Sequence, residues 1–144
     1  MQAKALDRRT LLQAALILGA AFWFLGLPKN APVPKIPVAE VSVLEAVGAI
    51  AMGAIVIDVR ERGSYAEGHI AGAISVPIDE LKQRAGEFAS AKEKQYIVYC
   101  GDGSTLGPEA ARALTAAGHT ATRNLPAGFS GWKAAGQAVA TGKS

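Results

Sequence analysis

Tyr96-Ile97-Val98-Tyr99-Cys100-Gly101-Asp102-Gly103-Ser104-Thr105-Leu106-Gly107-Pro108 is the stretch on which the fold turns. An apolar run ends in a thiol, a glycine-rich loop follows, and a helix pattern opens at Pro108, a residue suited to the first helical position. Ala110, Ala111, Leu114 and Ala117 then recur on one face, with Gly118 just past the end. Strand, thiol, tight loop and helix start in that order place a cysteine before unpaired loop N–H groups and the positive end of a helix dipole. Both favour negative charge in front of them, which is the setting in which a thiol becomes a nucleophile. Cys100 is the single cysteine of the chain, so an intrachain disulfide and a Cys-x-x-Cys pair are excluded.

Working outward, Ser42-Val43-Leu44-Glu45 is a capping-box pattern that predicts a helix over 43–52, stopped by Gly53. Ala54-Ile55-Val56-Ile57 is continuously apolar and β-branched, as in a strand covered on both faces of a parallel sheet. A second short strand is predicted at Ile74-Ser75-Val76. Ile78, Leu81, Ala85 and Phe88 share a helical face, which predicts a helix near 79–88 with Glu80, Lys82, Gln83, Arg84 and Glu87 in water. After the strand ending at Tyr99 and the helix from Pro108, a last strand is expected around 121–125 and a short helix near Ser130–Ala135. Strands alternating with helices at this spacing specify an α/β domain with a parallel sheet.

The chain has 144 residues, 50% of them apolar, enough for one domain of ordinary size. Its formal charge of +3 is concentrated at the start, where Lys4, Arg8 and Arg9 stand against Asp7, so the basic balance is no argument for a nucleic-acid partner. Leu11 to Leu27 reads LLQAALILGAAFWFLGL, preceded by Arg8-Arg9 and ended by Pro28: a membrane-directed segment. As a helix at ~1.5 Å per residue it would span roughly 25 Å, close to the ~30 Å hydrocarbon core, so length alone leaves a signal peptide and an anchor both open. Small-x-small cleavage sites are poor at Gly19-Ala20-Ala21 and at Ala31-Pro32-Val33, which favours an uncleaved anchor. The basic residues place the N-terminus in the cytoplasm and the domain outside, at a bacterial inner membrane facing the periplasm. Asp7-Arg8-Arg9-Thr10-Leu11-Leu12 also resembles a twin-arginine export signal, although two arginines serve equally as positive-inside charge. Pro28, Pro32, Pro34 and Pro37 make residues 28–37 a semi-stiff tether of up to roughly 30 Å at ~3.1 Å per residue. The organisation expected is therefore an anchor or export signal at 1–27, a tether at 28–37, a domain at 38–135 and a flexible tail at 136–144.

Asp58-Val59-Arg60-Glu61, Tyr65 and then Gly68-His69-Ile70-Ala71-Gly72-Ala73-Ile74-Ser75-Val76-Pro77 resemble the signature of the rhodanese homology domain. The strand–cysteine–loop–helix arrangement at Tyr96–Leu114 and the closing Asn124-Leu125, Gly128-Phe129 and Gly131-Trp132 resemble the rest of that family, so the likeness covers roughly 38–135. The resemblance implies a five-stranded parallel sheet flanked by helices and a catalytic Cys100 whose sulfur is faced by the N–H groups of Gly101, Asp102, Gly103, Ser104, Thr105, Leu106 and Gly107. It further implies sulfur transfer: the cysteine takes sulfane sulfur from a small donor such as thiosulfate, holds it as a persulfide and passes it to a nucleophilic acceptor, with no cofactor and no metal. Every species on that path is negative at sulfur, so a cradle of N–H groups stabilises all of them. Gly101, Gly103 and Gly107 are expected to supply the cradle's backbone conformations, and Ser104 and Thr105 its hydroxyl donors.

Two departures stand out. The loop lacks the arginine or lysine that many sulfurtransferases of this family carry, and it holds Asp102 instead, a charge that repels an anionic donor. Arg62, Arg112 and Arg123 are the candidates to reach the mouth in its place. Leu106 occupies the position where related phosphatases need an arginine, which argues against phosphatase chemistry. The missing loop cation favours a second class, a non-catalytic rhodanese-like module acting as an accessory subunit of a membrane complex; the retained cysteine favours the first. Gly101-x-Gly103-x-x-x-Gly107 lies too late in the chain, with no acid ending the next strand, for a dinucleotide fold. Asp58 and Arg60 are read as orienting the loops, His69 as making a structural hydrogen bond, His119 as a surface residue, and Phe129 and Trp132 as packing.

Overall fold

A computed structural model of the protein describes residues 37–91 and 93–143. The apolar run 11–27 and the tether up to residue 36 lie outside the described residues, among which no helix is long and apolar enough to cross a membrane.

Helix α1, Val43–Ala51, begins as its capping box dictates: the Ser42 hydroxyl accepts from the Glu45 N–H at 3.3 Å, and the Ser42 N–H donates to Glu45 Oε2 at 2.8 Å. Strand β1, Ile55–Asp58, follows, then α2, Arg62–Glu67, the two-residue strands β2, His69–Ile70, and β3, Ile74–Ser75, and α3, Ile78–Arg84, which tightens into a 3-10 segment at Ala85–Ala91. Strand β4, Tyr96–Tyr99, leads through the Cys100 loop into α4, Leu106–Ala116. Strand β5, Thr122–Asn124, helix α5, Gly128–Ala134, and strand β6, Val139–Ala140, complete the order.

The sheet order is β3-β1-β4-β5, every neighbour parallel, with Val56 opposite Ile97, Asp58 opposite Tyr99 and Val98 opposite Asn124. The five strands implied by the resemblance are four among the described residues. A fifth position is marked only by a parallel bridge from Glu40 to Asn124, where the Val41 N–H donates to Asn124 O at 2.9 Å and the Asn124 N–H to Ala39 O at 2.8 Å. The strand pleat sorts side chains between two cores. Ile57, Tyr96 and Val98 face Leu81, Ala110, Ala111 and Leu114 on α3 and α4, whereas Val56, Ile97 and Tyr99 join Val41, Ala46, Ile70, Leu125 and Trp132 on the side of α1 and α5. A fully buried Leu or Ile contributes roughly 1.5–3 kcal/mol of transfer free energy. This two-sided burial is why β1 and β4 read as unbroken apolar runs.

Three further expectations change. Helix α4 starts two residues earlier than Pro108, which therefore sits at its third position, where a missing N–H is still harmless because the first turn's donors have no helical partner. The segment past 135, expected as a tail, carries β6, which pairs antiparallel with β2, His69 opposite Ala140 and Ile70 opposite Val139, while the Trp132 indole N–H donates to Ala138 O at 2.9 Å. His119, expected at the surface, is fully buried: its Nε2–H donates to Ala85 O at 3.1 Å and its ring meets Tyr96 edge-on at 5.1 Å.

Candidate active site

The carboxyl ends of the two central strands bring two acidic loops side by side. At the end of β1, Asp58 is wholly buried, and Arg60 answers it: Nε lies 3.0 Å from Oδ1, one terminal nitrogen 2.6 Å from Oδ2, and the Arg60 backbone N–H 3.0 Å from Oδ1. The same terminal nitrogen donates to Gly68 O at 2.6 Å, so the guanidinium staples the loop after β1 to the turn before β2. It lies 4.5 Å from the Phe129 ring centroid and 5.8 Å from that of Tyr99. Burial lowers the Arg60 pKa, but the hydrogen bonds and charge of Asp58 outweigh it and the net shift is upward. The Tyr99 phenol is pushed far up, first by burial and then by the Asp58 charge, and its oxygen accepts the Ile70 N–H at 3.1 Å. His69 makes the structural bond expected of it, Nδ1 to Tyr65 O at 2.8 Å, with its ring stacked on Tyr65 at 3.7 Å. Asp58 and Arg60 thus orient the loops.

At the end of β4, Cys100 continues the pleat of Tyr96 and Val98 and points toward the α4 core beside Val59, Val76 and Ala110. It is 3% exposed and belongs to the hydrophobic cluster on the α4 side. Its thiol donates to Asp102 Oδ1 at 3.7 Å. That same oxygen accepts the Ser104 N–H at 3.0 Å and the Ser104 hydroxyl at 2.9 Å, and the Thr105 hydroxyl lies 3.2 Å from that of Ser104. The Ser104 amide and hydroxyl, expected to serve the sulfur, instead hold the loop's own carboxylate. Ser104, by its N–H and then its hydroxyl, lowers the Asp102 pKa.

The loop's glycines divide by role. Gly103 has φ +75°, and a Cβ there would stand 2.1 Å from Pro126 O, so only glycine fits. Gly107 has no such backbone demand; it leaves room for Asn124, whose Oδ1 occupies the space a Cβ would need. A Cβ at Gly101 would meet nothing within 4 Å. Beneath the loop, the first turn of α5 closes the structure: Phe129 N–H donates to Cys100 O at 2.8 Å and Ser130 N–H to Gly101 O at 3.0 Å. Gly128 permits that approach, because a Cβ there would lie 2.5 Å from Gly101 O. The buried Asn124 side chain, to which the sequence assigns no role beyond its place in the closing motif, donates from Nδ2 to Gly103 O at 3.2 Å. A single amide at the end of a short strand leaves no pattern from which this strut could be read.

The three arginines proposed for the mouth do not gather there. Arg62 is paired with Glu80, Arg123 lies on β5 where its charge acts on Glu45, and Arg112 is on α4. Lys82 is paired with Glu109 and Arg84 with Glu80 and Glu87. Among the described residues no cluster of His, Cys, Asp and Glu could hold a metal ion.

The sequence is 37% identical over 91 residues to the uncharacterized protein YibN of Escherichia coli, covering 62% of this chain and 63% of that one, so the match spans just under two thirds of the relative. Thiosulfate sulfurtransferase GlpE of Coxiella burnetii is 38% identical over 80 residues, 56% of this chain and 72% of its own length. The crystal structure of a thiosulfate sulfurtransferase from Pseudomonas aeruginosa superposes with a TM-score of 0.66 at 29% identity, over 74% of this chain and 21% of that one. The rhodanese-like domain model matches residues 42–135, well over half of the sequence, and the chain belongs to that family.

Proposed function

We propose that the protein is a sulfur carrier of the sulfurtransferase class, holding sulfane sulfur as a persulfide on Cys100, with residues 101–107 as the loop that receives the donor. The Cys100 thiolate attacks the outer sulfur of the donor, the donor's S–S bond breaks, and the leaving group departs with the electron pair. A nucleophilic acceptor then takes the outer sulfur and returns Cys100 to the thiolate. The observation that carries this reading is the placement of the single thiol at the end of β4, before the N-terminus of α4. Similarity to proteins named thiosulfate sulfurtransferases supports the same class of chemistry. Residues 11–27 hold the domain at a membrane, supported by their apolar run behind Arg8-Arg9.

One experiment tests both parts. The chain expressed in a bacterium is recovered from the membrane fraction, treated with a panel of sulfane donors and weighed intact. The expected result is a gain of one sulfur atom on the wild type and none on Cys100→Ser, in a polypeptide that still carries its N-terminus. A soluble product beginning after residue 21 overturns the anchor. No adduct with any donor overturns the carrier and leaves the accessory module, the reading that the 3% exposure of Cys100 and the self-occupied loop favour.

A further inference from the structure

The Cys100 loop already contains an anion. Asp102 Oδ1 gathers the Ser104 N–H, the Ser104 hydroxyl and the Cys100 thiol on one oxygen, so the groups that would embrace an anionic donor are engaged by a carboxylate belonging to the chain. No lysine or arginine lies in residues 100–107 to offset it. Arg60 is committed to Asp58 and Gly68, Arg62 to Glu80 and Lys82 to Glu109; Arg112 lies on α4 beyond its first turn and Arg123 on β5, both outside the loop. Lys133 lies 5.8 Å from the Phe129 ring and lines, with Arg60, Ser64 and Glu67, a shallow cavity of about 230 Å³ that includes no residue of the loop.

We infer that Asp102 sets the donor class: the loop disfavours a dianionic donor such as thiosulfate and takes the hydropersulfide of a thiol that carries no net negative charge. The inference rests on the sulfur-carrier reading of Cys100 and refines it. With a hydropersulfide the exchange balances without an oxidant. Cys100 sulfur bonds to the terminal sulfur of R–S–SH, the S–S bond breaks, and R–S⁻ leaves and takes up the Cys100 proton, giving Cys100–S–SH and R–SH. With thiosulfate the attacking species would be one thiolate charge meeting two more, beside a carboxylate. A doubly charged group at about 4 Å from one carboxylate is slowed by roughly tenfold or more even at the dielectric constant of water.

The test uses the full chain and three probes: thiosulfate, glutathione hydropersulfide and the ammonium-bearing cysteamine hydropersulfide, whose net charge is zero once its terminal sulfur ionises, with the rate of sulfur gain on Cys100 read by intact mass. In the wild type the ammonium-bearing donor is expected to load at least tenfold faster than thiosulfate, with the glutathione donor between them. Asp102→Asn, an exposed change that keeps an oxygen for Ser104, is expected to raise the thiosulfate rate about tenfold and to narrow the ratio between donors. Added salt, which screens exposed charges, is expected to speed thiosulfate and leave the ammonium-bearing donor nearly unchanged in the wild type, a measurement that needs no variant. Equal wild-type rates, or a donor ratio that neither Asp102→Asn nor salt changes, overturns the inference while the carrier reading stands. Failure of all three probes to load either protein overturns the carrier reading, and the inference falls with it.

Discussion

β1 and β4 are neighbouring strands, with Asp58 opposite Tyr99 one residue before the thiol, and at or just past the carboxyl end of each one carboxylate organises its surroundings. They use that carboxylate in opposite ways. Asp58 is buried without exposure and meets a guanidinium at 2.6 Å; Asp102 is exposed and meets only an N–H, a hydroxyl and a thiol. The first arrangement is closed, because every strong donor in reach has its acceptor inside the protein. The second is open to exchange, because a ligand could replace the carboxylate on the same donors without unpairing a buried charge. Side by side, they separate the part of the family signature that holds the fold from the part proposed to receive the donor.

The hardest test of this contrast is to remove the partners. Arg60→Ala strips the cation from a buried carboxylate and is expected to cost about 3 kcal/mol or more, read as a large drop in the urea midpoint. Asp102→Ala is expected to leave that midpoint nearly where it is, since its donors turn to water. Equal losses at the two sites would end the distinction between a structural and a substrate-facing carboxylate.

A smaller effect separates residues within the loop itself. Gly103→Ala forces a Cβ onto a backbone at φ +75° and into Pro126 O, and is expected to cost about 2–3 kcal/mol. Gly101→Ala meets nothing within 4 Å, needs no left-handed backbone and is expected to change stability by no more than about 0.5 kcal/mol. If the two substitutions cost the same, the loop is not held in the conformation that Pro126, Asn124 and α5 impose from below.

How far the sequence foretells this depends on the range over which each signal acts. The unbroken apolar runs of β1 and β4 announce a sheet buried on both faces, and the Ser42–Glu45 capping box starts α1 where it should, because period and capping are local. The place of Cys100 at a strand's carboxyl end is legible for the same reason. What acts across the chain is not. The pairing of β6 with β2 involves two residues on each side, too few to carry a pattern. His119 lies between Gly118 and Thr120 with no apolar periodicity around it, yet Ala85, Tyr96 and Phe88 enclose it. Asp102 reads as a lone charge in a loop; that its carboxylate takes the Ser104 donors depends on a backbone turn fixed by Pro126 beneath Gly103 and by the α5 amides that hold the carbonyls of Cys100 and Gly101.

The finest distinction between the two loops is titratable. Ser104, donating its N–H and then its hydroxyl, lowers the Asp102 pKa, so the bond it makes is fully present above the ordinary aspartate range. A carboxylate whose folded-state pKa lies below its unfolded value gives its stabilisation at higher pH and loses it as pH falls through the folded value. The Ser104 amide proton, followed by NMR as the pH is lowered, is therefore expected to move upfield with a midpoint below that of an aspartate in an unfolded peptide. It should stay flat in Asp102→Asn, while the global unfolding transition hardly changes because the group is exposed. A midpoint at or above the ordinary value would mean that the Ser104 N–H is not on the carboxylate. It would then be free for the sulfur, and the argument that the loop's donors are already occupied would fail, leaving only the repulsion of the Asp102 charge to set the donor.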